Sequence, residues 1–158
     1  MIITFTELFI ILSIIFFILT NYLGIGIFRP NIFYKKVYIY EDSLKVWALL
    51  NNPSMYNEWL SPFKGLESHQ VESLVEVTQR VPKYKIIITV SDPNNYNKKE
   101  TWSFFLLPHK ESLSLELIRE VSNKSLLSNL LENLFLGSIK TNSIVKSIVK
   151  TSPKLVLD

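Results

Sequence analysis

An uncharged stretch close to the N-terminus most constrains what this chain can form. From Leu8 to Phe28 there are 21 residues without a charged side chain, and Glu7 is the one charged residue among the first 28. A helix rises about 1.5 Å per residue, so roughly 20 apolar residues cross a hydrocarbon core of about 30 Å. The sequence therefore predicts a transmembrane anchor in residues 1–29 and a single-pass membrane protein.

A cleaved signal peptide is the alternative explanation for this stretch. Signal peptides begin with Lys or Arg, have a shorter apolar core and end at a cleavage site of small residues such as alanine. This chain has no basic residue before Arg29 and no alanine near the end of the stretch, so we favour the anchor. Arg29, Lys35 and Lys36 follow the anchor, and the positive-inside rule then predicts that the remaining chain faces the cytoplasm.

The remaining chain is expected to be a linker over residues 30–36 and one domain over residues 37–158, which is large enough to bury its own core. The absence of cysteine excludes disulfides, thiolate zinc sites and a cysteine nucleophile. With 17 basic and 14 acidic residues, the net charge is only +3. That is far from the concentrated basic surface of a nucleic-acid-binding protein, so we expect no nucleic-acid partner.

The domain begins with a pattern typical of one strand followed by two short helices. Val37–Glu41 is rich in β-branched and aromatic residues, as strands are. Asp42 and Ser43 offer N-capping side chains to a helix that Pro53 brings to an end. The segment Met55–Leu60 predicts a second, shorter helix.

The pattern then changes from helical spacing to alternation. It predicts an antiparallel meander whose strands are separated by proline, asparagine and aspartate, the residues that favour turns. The predicted strands are Leu66–Gln70, Glu72–Gln79, Tyr84–Ser91, Glu100–Leu107 and Ser112–Val121. Alternation is clearest on the third strand, where one face is apolar, so we expect the sheet to be buried on one side.

A long amphipathic helix is predicted at the C-terminus. From Leu126 onward the apolar residues recur at i, i+3 and i+4 for about 25 residues, which gives the helix one apolar face. This face would cover the buried side of the sheet. Gly137 interrupts the pattern and marks either a kink or a close contact.

Specific residues in this order resemble a known family. The segment Val37–Glu67, with its Val46-Trp47 pair and Trp59, resembles the opening of the START and polyketide cyclase-like superfamily (SRPBCC). The segments Thr101–Phe104 and Glu120–Asn123 resemble later strands of small bacterial members, and the resemblance covers residues 37–149. It implies an α+β helix-grip fold, in which an antiparallel sheet wraps around the long C-terminal helix. The short connection between the second and third strands departs from the family and implies a smaller cavity.

Catalytic chemistry is sparse in this sequence. His69 and His109 lie about 40 residues apart in predicted turns, without the spacing of metal ligands. Glutamates alternate with apolar residues on the predicted strands, as they do on any solvated sheet face. We therefore predict no catalytic residues, no metal and no cofactor.

An apolar cavity between the sheet and the closing helix is the binding site that the resemblance implies. The alternative is that the same side chains pack together as a filled core. The candidate cavity-lining residues are Trp59, Phe63, Ile88, Val90, Trp102, Phe104, Leu127, Leu131 and Phe135.

The function predicted from the sequence is that of a membrane-anchored binding protein for a hydrophobic small molecule or lipid. The ligand would enter the cavity because burial of apolar surface is favourable by about 25 cal/mol per Å². A protein–protein interaction module with a filled core is the second hypothesis. An enzyme of the cyclase type is the third.

Overall fold

The computed structural model describes residues 5–22, 31–92, 95–121 and 131–154. After an N-terminal helix, the described residues form an antiparallel sheet of five strands with a long C-terminal helix packed against it. The α+β helix-grip architecture expected from the sequence is thus confirmed.

The helices and strands are numbered here in chain order. The α-helices are α1 (Phe5–Tyr22), α2 (Ser43–Asn51), α3 (Tyr56–Trp59), α4 (Ser68–Leu74) and α5 (Gly137–Thr151), with a π-helical turn at Glu132–Leu136 directly before α5. Short 3₁₀ turns lie at Pro53–Met55, Ser61–Phe63 and Ser152–Lys154. The strands are β1 (Asn31–Ile39), β2 (Val75–Val81), β3 (Lys85–Asp92), β4 (Asn95–His109) and β5 (Ser112–Val121).

The sheet has the order β1-β5-β4-β3-β2, and every neighbouring pair is antiparallel. The prediction for β5 is confirmed at both ends, and that for β3 to within one residue. β1 begins at Asn31 rather than at Val37, so most of the predicted linker is strand. The early start lets β1 pair with β5 along its whole length, from Asn31 opposite Val121 to Ile39 opposite Leu113.

Strict alternation determines which side chains of the sheet enter the core. On β3 the inward residues are Ile86, Ile88 and Val90, and on β4 they are Trp102, Phe104 and Leu106. Phe105 and Leu107 point to the other face and are only partly buried. The four consecutive apolar residues 104–107 left this orientation open in the sequence, and the pairing of β4 between two other strands settles it.

The first predicted helix is confirmed and so is its cap. The carboxylate of Asp42 accepts a hydrogen bond from the backbone N–H of Leu44 at 2.9 Å, which satisfies one of the free donors of the first turn. Val46, Leu49 and Leu50 form the buried face of α2.

The prediction of a strand at Leu66–Gln70 is wrong, because the chain forms helix α4 there. The side chain of Gln70 accepts a hydrogen bond from the backbone N–H of Glu67 at 2.9 Å, an arrangement that starts a helix. Val71 and Leu74 are buried and three residues apart, so they lie on one helical face. Within the described residues the sheet therefore has five strands rather than the six predicted.

The closing helix buries a different face at its start from the one that was predicted. At the π-helical turn the backbone N–H of Gly137 donates to the carbonyl of Glu132, five residues earlier, instead of four as in an α-helix. This extra residue rotates the preceding segment, so Leu131 and Phe135 are 45% and 62% exposed instead of facing the sheet. The predicted start at Leu126 lies outside the described residues.

Gly137 makes the close contact that the sequence suggested. A Cβ atom at this position would overlap the ring of Phe33 on β1. The backbone of the closing helix can therefore approach the sheet only where this residue has no side chain.

The prediction of a single-pass membrane protein is wrong. In the part of the chain that the structure describes, no helix combines the length and the apolar character needed to cross a bilayer. Helix α1 has 18 residues. The cytoplasmic orientation was deduced from that span and is withdrawn with it.

We predict that Gly137→Ala destabilises the fold by about 1–3 kcal/mol, because the added methyl group would overlap the Phe33 ring. Urea unfolding of the full chain measures the change. Ser138→Ala, at the exposed next residue, is the control and should be close to neutral. Gly137→Ala should cost less when it is introduced into Phe33→Ala than into the unchanged protein, and an equal cost in both would contradict the contact.

The phase of the closing helix gives a second prediction. Ile148→Asp would place an unpaired charge in the core, since Ile148 is fully buried, and should prevent cooperative folding. Phe135→Asp changes an exposed side chain and should alter the free energy of unfolding by about 0.5 kcal/mol or less. Thermal melts followed by circular dichroism compare the two. Unfolding of both variants would show that Phe135 faces the sheet after all.

Candidate functional site

A pocket of about 290 Å³ lies between the sheet and the closing helix. We call it the sheet–helix pocket. Strands β3, β4 and β5 form its floor, α5 one wall, and the 3₁₀ turn at Ser61–Phe63 the opposite wall. Its lining residues are Pro62, Phe63, Val90, Ser91, Asp92, Glu100, Trp102, Arg119, Lys140 and Ile144.

One part of the sheet–helix pocket is apolar and aromatic. Trp102 and Phe63 lie with their ring centroids 6.2 Å apart, and both are almost completely buried. Val90 from β3 and Ile144 from α5 complete this surface. Apolar walls of this kind bind the body of an organic molecule by removing its surface from water.

The other part of the pocket is built around a buried guanidinium. Arg119 lies on the inner face of β5 among leucines, and its side chain has no solvent-exposed surface. Its Nε and Nη2 atoms donate to the two carboxylate oxygens of Glu100, both at 2.7 Å. Its Nη2 atom also donates to Glu132 at 2.7 Å. Arg119 therefore joins strand β4 to the π-helical turn.

Further contacts complete the surroundings of this guanidinium. Nη1 donates to the carbonyl of Gly137 at 3.5 Å, and the Phe33 ring lies 5.5 Å from the guanidinium carbon. The indole N–H of Trp102 donates to Glu100 at 3.0 Å. Every carboxylate and ring in this cluster is thus held in a fixed position around Arg119.

The ionisation of the cluster follows from these hydrogen bonds. Burial by itself raises the pKa of Glu100, but the hydrogen bonds and positive charge of Arg119 outweigh it and hold that pKa below its usual range. Burial likewise disfavours the charged guanidinium, yet its bonds to Glu100 and Glu132 raise the pKa of Arg119. Both groups are therefore ionised near neutral pH.

Lys140 is the pocket's second cation and differs from the first. Its ammonium lies 3.5 Å from Glu132, and its side chain is 42% exposed. Two cations therefore face two carboxylates in this cluster, and the charges balance. Because the Lys140 side chain is partly exposed, this ion pair contributes less to stability than the buried pairs of Arg119.

The structure brings only some of the predicted site residues together. Phe63, Val90 and Trp102 line the sheet–helix pocket. Ile88 and Phe104 are fully buried in the core beneath it. Of the remaining four predicted residues, Trp59, Leu131 and Phe135 do not line this pocket, and Leu127 lies outside the described residues.

These four residues have different locations. Trp59 is buried and lines a separate depression of about 340 Å³ between α3 and α5. Leu131 and Phe135 are exposed on the outer side of the closing helix. Leu127 lies outside the described residues. Sequence reasoning placed the helical residues in the cavity because it assumed an uninterrupted α-helical period.

Sequence reasoning also missed the whole ionic cluster. The alternation of the strands indicates this cluster. Arg119 follows Leu113, Leu115 and Leu117 at intervals of two residues, so it points to the same inner face of β5. Glu100 likewise has the parity of Trp102. A charge at an inward position of an otherwise apolar face calls for a partner of opposite sign.

The ionic cluster predicts how stability depends on pH. The folded pKa of Glu100 is lowered, so the stability it contributes is present above the unfolded pKa of about 4.3 and is lost as the pH falls through the folded value. We expect Glu100→Gln to lose on the order of 3 kcal/mol at pH 7, because Arg119 keeps a single carboxylate. When the pH is lowered, the free energy of unfolding of Glu100→Gln should also decrease less than that of the unchanged protein.

Urea unfolding at pH 7 and at mildly acidic pH measures this effect. Glu111→Gln, at an exposed glutamate, is the matched control and should show the pH dependence of the unchanged protein. An equal acid response in Glu100→Gln would contradict the role assigned to this carboxylate.

Comparison with known proteins shows which solved structures share this fold, and it identifies no closer relationship. No protein-family model and no curated protein matches this chain. Solved structures do match. Protein MLL2253 from Mesorhizobium loti is 15% identical, and the match covers 80% of this chain and 100% of that protein with a TM-score of 0.55.

Two other matching structures come from biosynthetic systems. DynU16, from the dynemicin biosynthetic locus, is 10% identical, with 76% of this chain and 46% of that protein covered at a TM-score of 0.54. The di-domain ARO/CYC protein StfQ, from the steffimycin pathway, is 9% identical, with 80% and 52% covered at a TM-score of 0.50. This chain thus shares its fold with these three proteins.

Proposed function

We propose that this protein binds a hydrophobic small molecule in the sheet–helix pocket, without chemically changing it. The observation that carries the proposal is the pocket itself, which joins an apolar aromatic wall to a fixed polar end. A concave, mostly apolar site with a few convergent polar groups is the usual form of a small-molecule site.

The binding energy would come from the apolar wall. Phe63, Trp102 and Ile144 are each at most 2% exposed, and they face one another from three different elements. A ligand in contact with them would have its apolar surface removed from water, which favours binding by about 25 cal/mol per Å² of surface buried. Because these side chains belong to packed elements, little ordering is needed on binding.

The polar end of the pocket favours binding over catalysis. A general acid or base must have a proton position free to exchange with the substrate. Glu100 accepts hydrogen bonds from both Arg119 and Trp102, and Arg119 is held by two carboxylates. These groups are committed to one another, and they hold the sheet and helix in place.

The shared fold does not decide between binding and catalysis. DynU16 and StfQ come from biosynthetic systems and share this architecture. At identities of 9–10% the likeness concerns the fold alone. The proposal for this chain therefore depends on its own pocket residues.

A pocket-filling substitution tests the proposal. Ile144→Phe adds a ring to the pocket wall and should weaken binding of an uncharged naphthalene-based fluorescent probe at least tenfold, because ligand and side chain compete for the same space. Fluorescence titration of the purified full chain measures the affinity, and a thermal melt confirms that the variant folds.

The control removes the ambiguity of surface binding. Helix α1 exposes apolar side chains that could hold the probe without any pocket. Val149→Phe adds the same ring to the same helix at a residue that is 39% exposed and outside the pocket lining. Its probe affinity should match that of the unchanged protein. Equal affinities in all three proteins would refute binding in the sheet–helix pocket.

A further inference from the structure

We infer that two copies of this chain form a homodimer in which helix α1 of each copy packs against the closing helix of the other. The inference goes beyond the proposed ligand binding and does not depend on it. Two exposed apolar surfaces carry it, one on α1 and one on the closing helix.

Helix α1 is apolar on every side. Its run Leu8–Leu19 makes about three helical turns and contains one polar residue, Ser13. No described element packs closely against this helix. Helices that are apolar all round are normally buried, so this surface calls for a partner. Ten large apolar side chains of the run are each 45–65% exposed: Leu8, Phe9, Ile10, Ile11, Leu12, Ile14, Ile15, Phe16, Ile18 and Leu19.

The second surface lies on the outer side of the closing helix, at the π-helical turn and just after it. We call it the outer patch. A contiguous apolar patch on a protein surface marks an interaction site when it exceeds a few hundred Å². The outer patch consists of five side chains that are each 42–65% exposed: Leu131, Leu134, Phe135, Leu136 and Ile139.

The path of the chain brings the two surfaces together. Strand β1 begins at Asn31, whose side-chain oxygen accepts a hydrogen bond from Nδ2 of Asn133 at 2.8 Å. Asn133 lies between Leu131 and Leu134 of the outer patch. The eight residues 23–30 that join α1 to β1 can span at most about 29 Å. Helix α1 is therefore attached beside the outer patch, and it reaches the patch of a second copy when the two patches face each other.

Two-fold symmetry explains why the partner is a second copy. The outer patch of the same chain could cover only one side of α1 and would leave the opposite apolar side in water. In a two-fold dimer, one side of each α1 meets the partner's outer patch and the other side meets the partner's α1. Such an interface is self-complementary, as homodimer interfaces are.

The available area is sufficient for a stable dimer. A fully exposed Leu, Ile or Phe side chain offers on the order of 100 Å² of apolar surface. The fifteen side chains of the two surfaces are about half exposed and together offer about 750 Å² per copy. A stable interface buries about 800 Å² per partner. Because Leu8–Leu19 contains no charged residue, no charge in this run has to leave water on pairing.

Sedimentation velocity of the full chain over a range of concentrations tests the dimer. Ile14→Asp in α1 and Ile139→Asp in the outer patch each place a charge in the interface, and each should raise the dissociation constant at least tenfold. Val149→Asp makes a matched change at an exposed apolar residue of the same helix, outside the patch, and should leave the dissociation constant unchanged. Dimerisation stabilises the folded chain by mass action, so melts that compare Phe135→Asp with the unchanged protein are run below the dissociation constant. A chain that stays monomeric at every concentration, or that forms aggregates without a defined dimer, would overturn the inference.

Cross-linking shows which surfaces meet. The chain has no cysteine, so Ile14→Cys and Ile139→Cys each carry a single thiol. When the two variants are mixed, a bifunctional maleimide should join one to the other, and Val149→Cys in place of Ile139→Cys should give no such product. Cross-links between two α1 helices alone would overturn the assignment of the outer patch.

The remaining occupants give different results. In the double variant Ile14→Cys/Ile139→Cys, a cross-link confined to a monomer-sized species would show that α1 covers the patch of its own chain. Flotation of the monomeric chain with phosphatidylcholine vesicles would identify a lipid surface as the partner of α1. Either result would overturn the dimer.

Discussion

The buried guanidinium of Arg119 is the constraint on which the rest of this structure depends. A strand position surrounded by leucines would normally take another leucine, and a charge there must be paired or it destabilises the fold by several kcal/mol. One partner, Glu100, comes from the neighbouring strand. The second, Glu132, comes from the closing helix, 13 residues further along the chain. The helix must therefore lie where this carboxylate reaches the sheet.

The π-helical turn is the local consequence of that requirement. Its extra residue directs Glu132 toward the sheet and moves the neighbouring leucines and phenylalanine to the outside, while Gly137 lets the backbone approach Phe33. From Gly137 onward the ordinary α-helical period returns, and Ile144 and Ile148 are buried. Turns of this kind are rare and are frequently found at functional sites. Here the turn lies at the polar end of the pocket.

Local rules predicted most of the sheet, the first helix with its Asp42 cap and the contact at Gly137, because neighbouring residues determine these features. They failed where a distant residue decides the outcome. The phase of the closing helix depends on Arg119, so Leu131 and Phe135 were wrongly placed. The strand predicted at Leu66–Gln70 overlooks the hydrogen bond between the Gln70 side chain and the backbone of Glu67, which starts helix α4. The membrane span was predicted from the uncharged length of residues 8–28 alone, and no described helix meets the requirements for a span.

The cluster around Arg119 couples the stability of the fold to the character of the pocket. Glu100 and Arg119 both line the pocket. Arg119 also bonds to Glu132 and to the carbonyl of Gly137, and Glu100 holds Arg119 in place, so exchange of either residue would loosen the attachment of the closing helix. Phe63, Val90 and Ile144 contribute only packing, and a core tolerates exchange among apolar side chains of similar volume. Under the proposed function, substitutions on the apolar wall would change which ligand fits, whereas substitutions at the polar end would also change the stability of the fold.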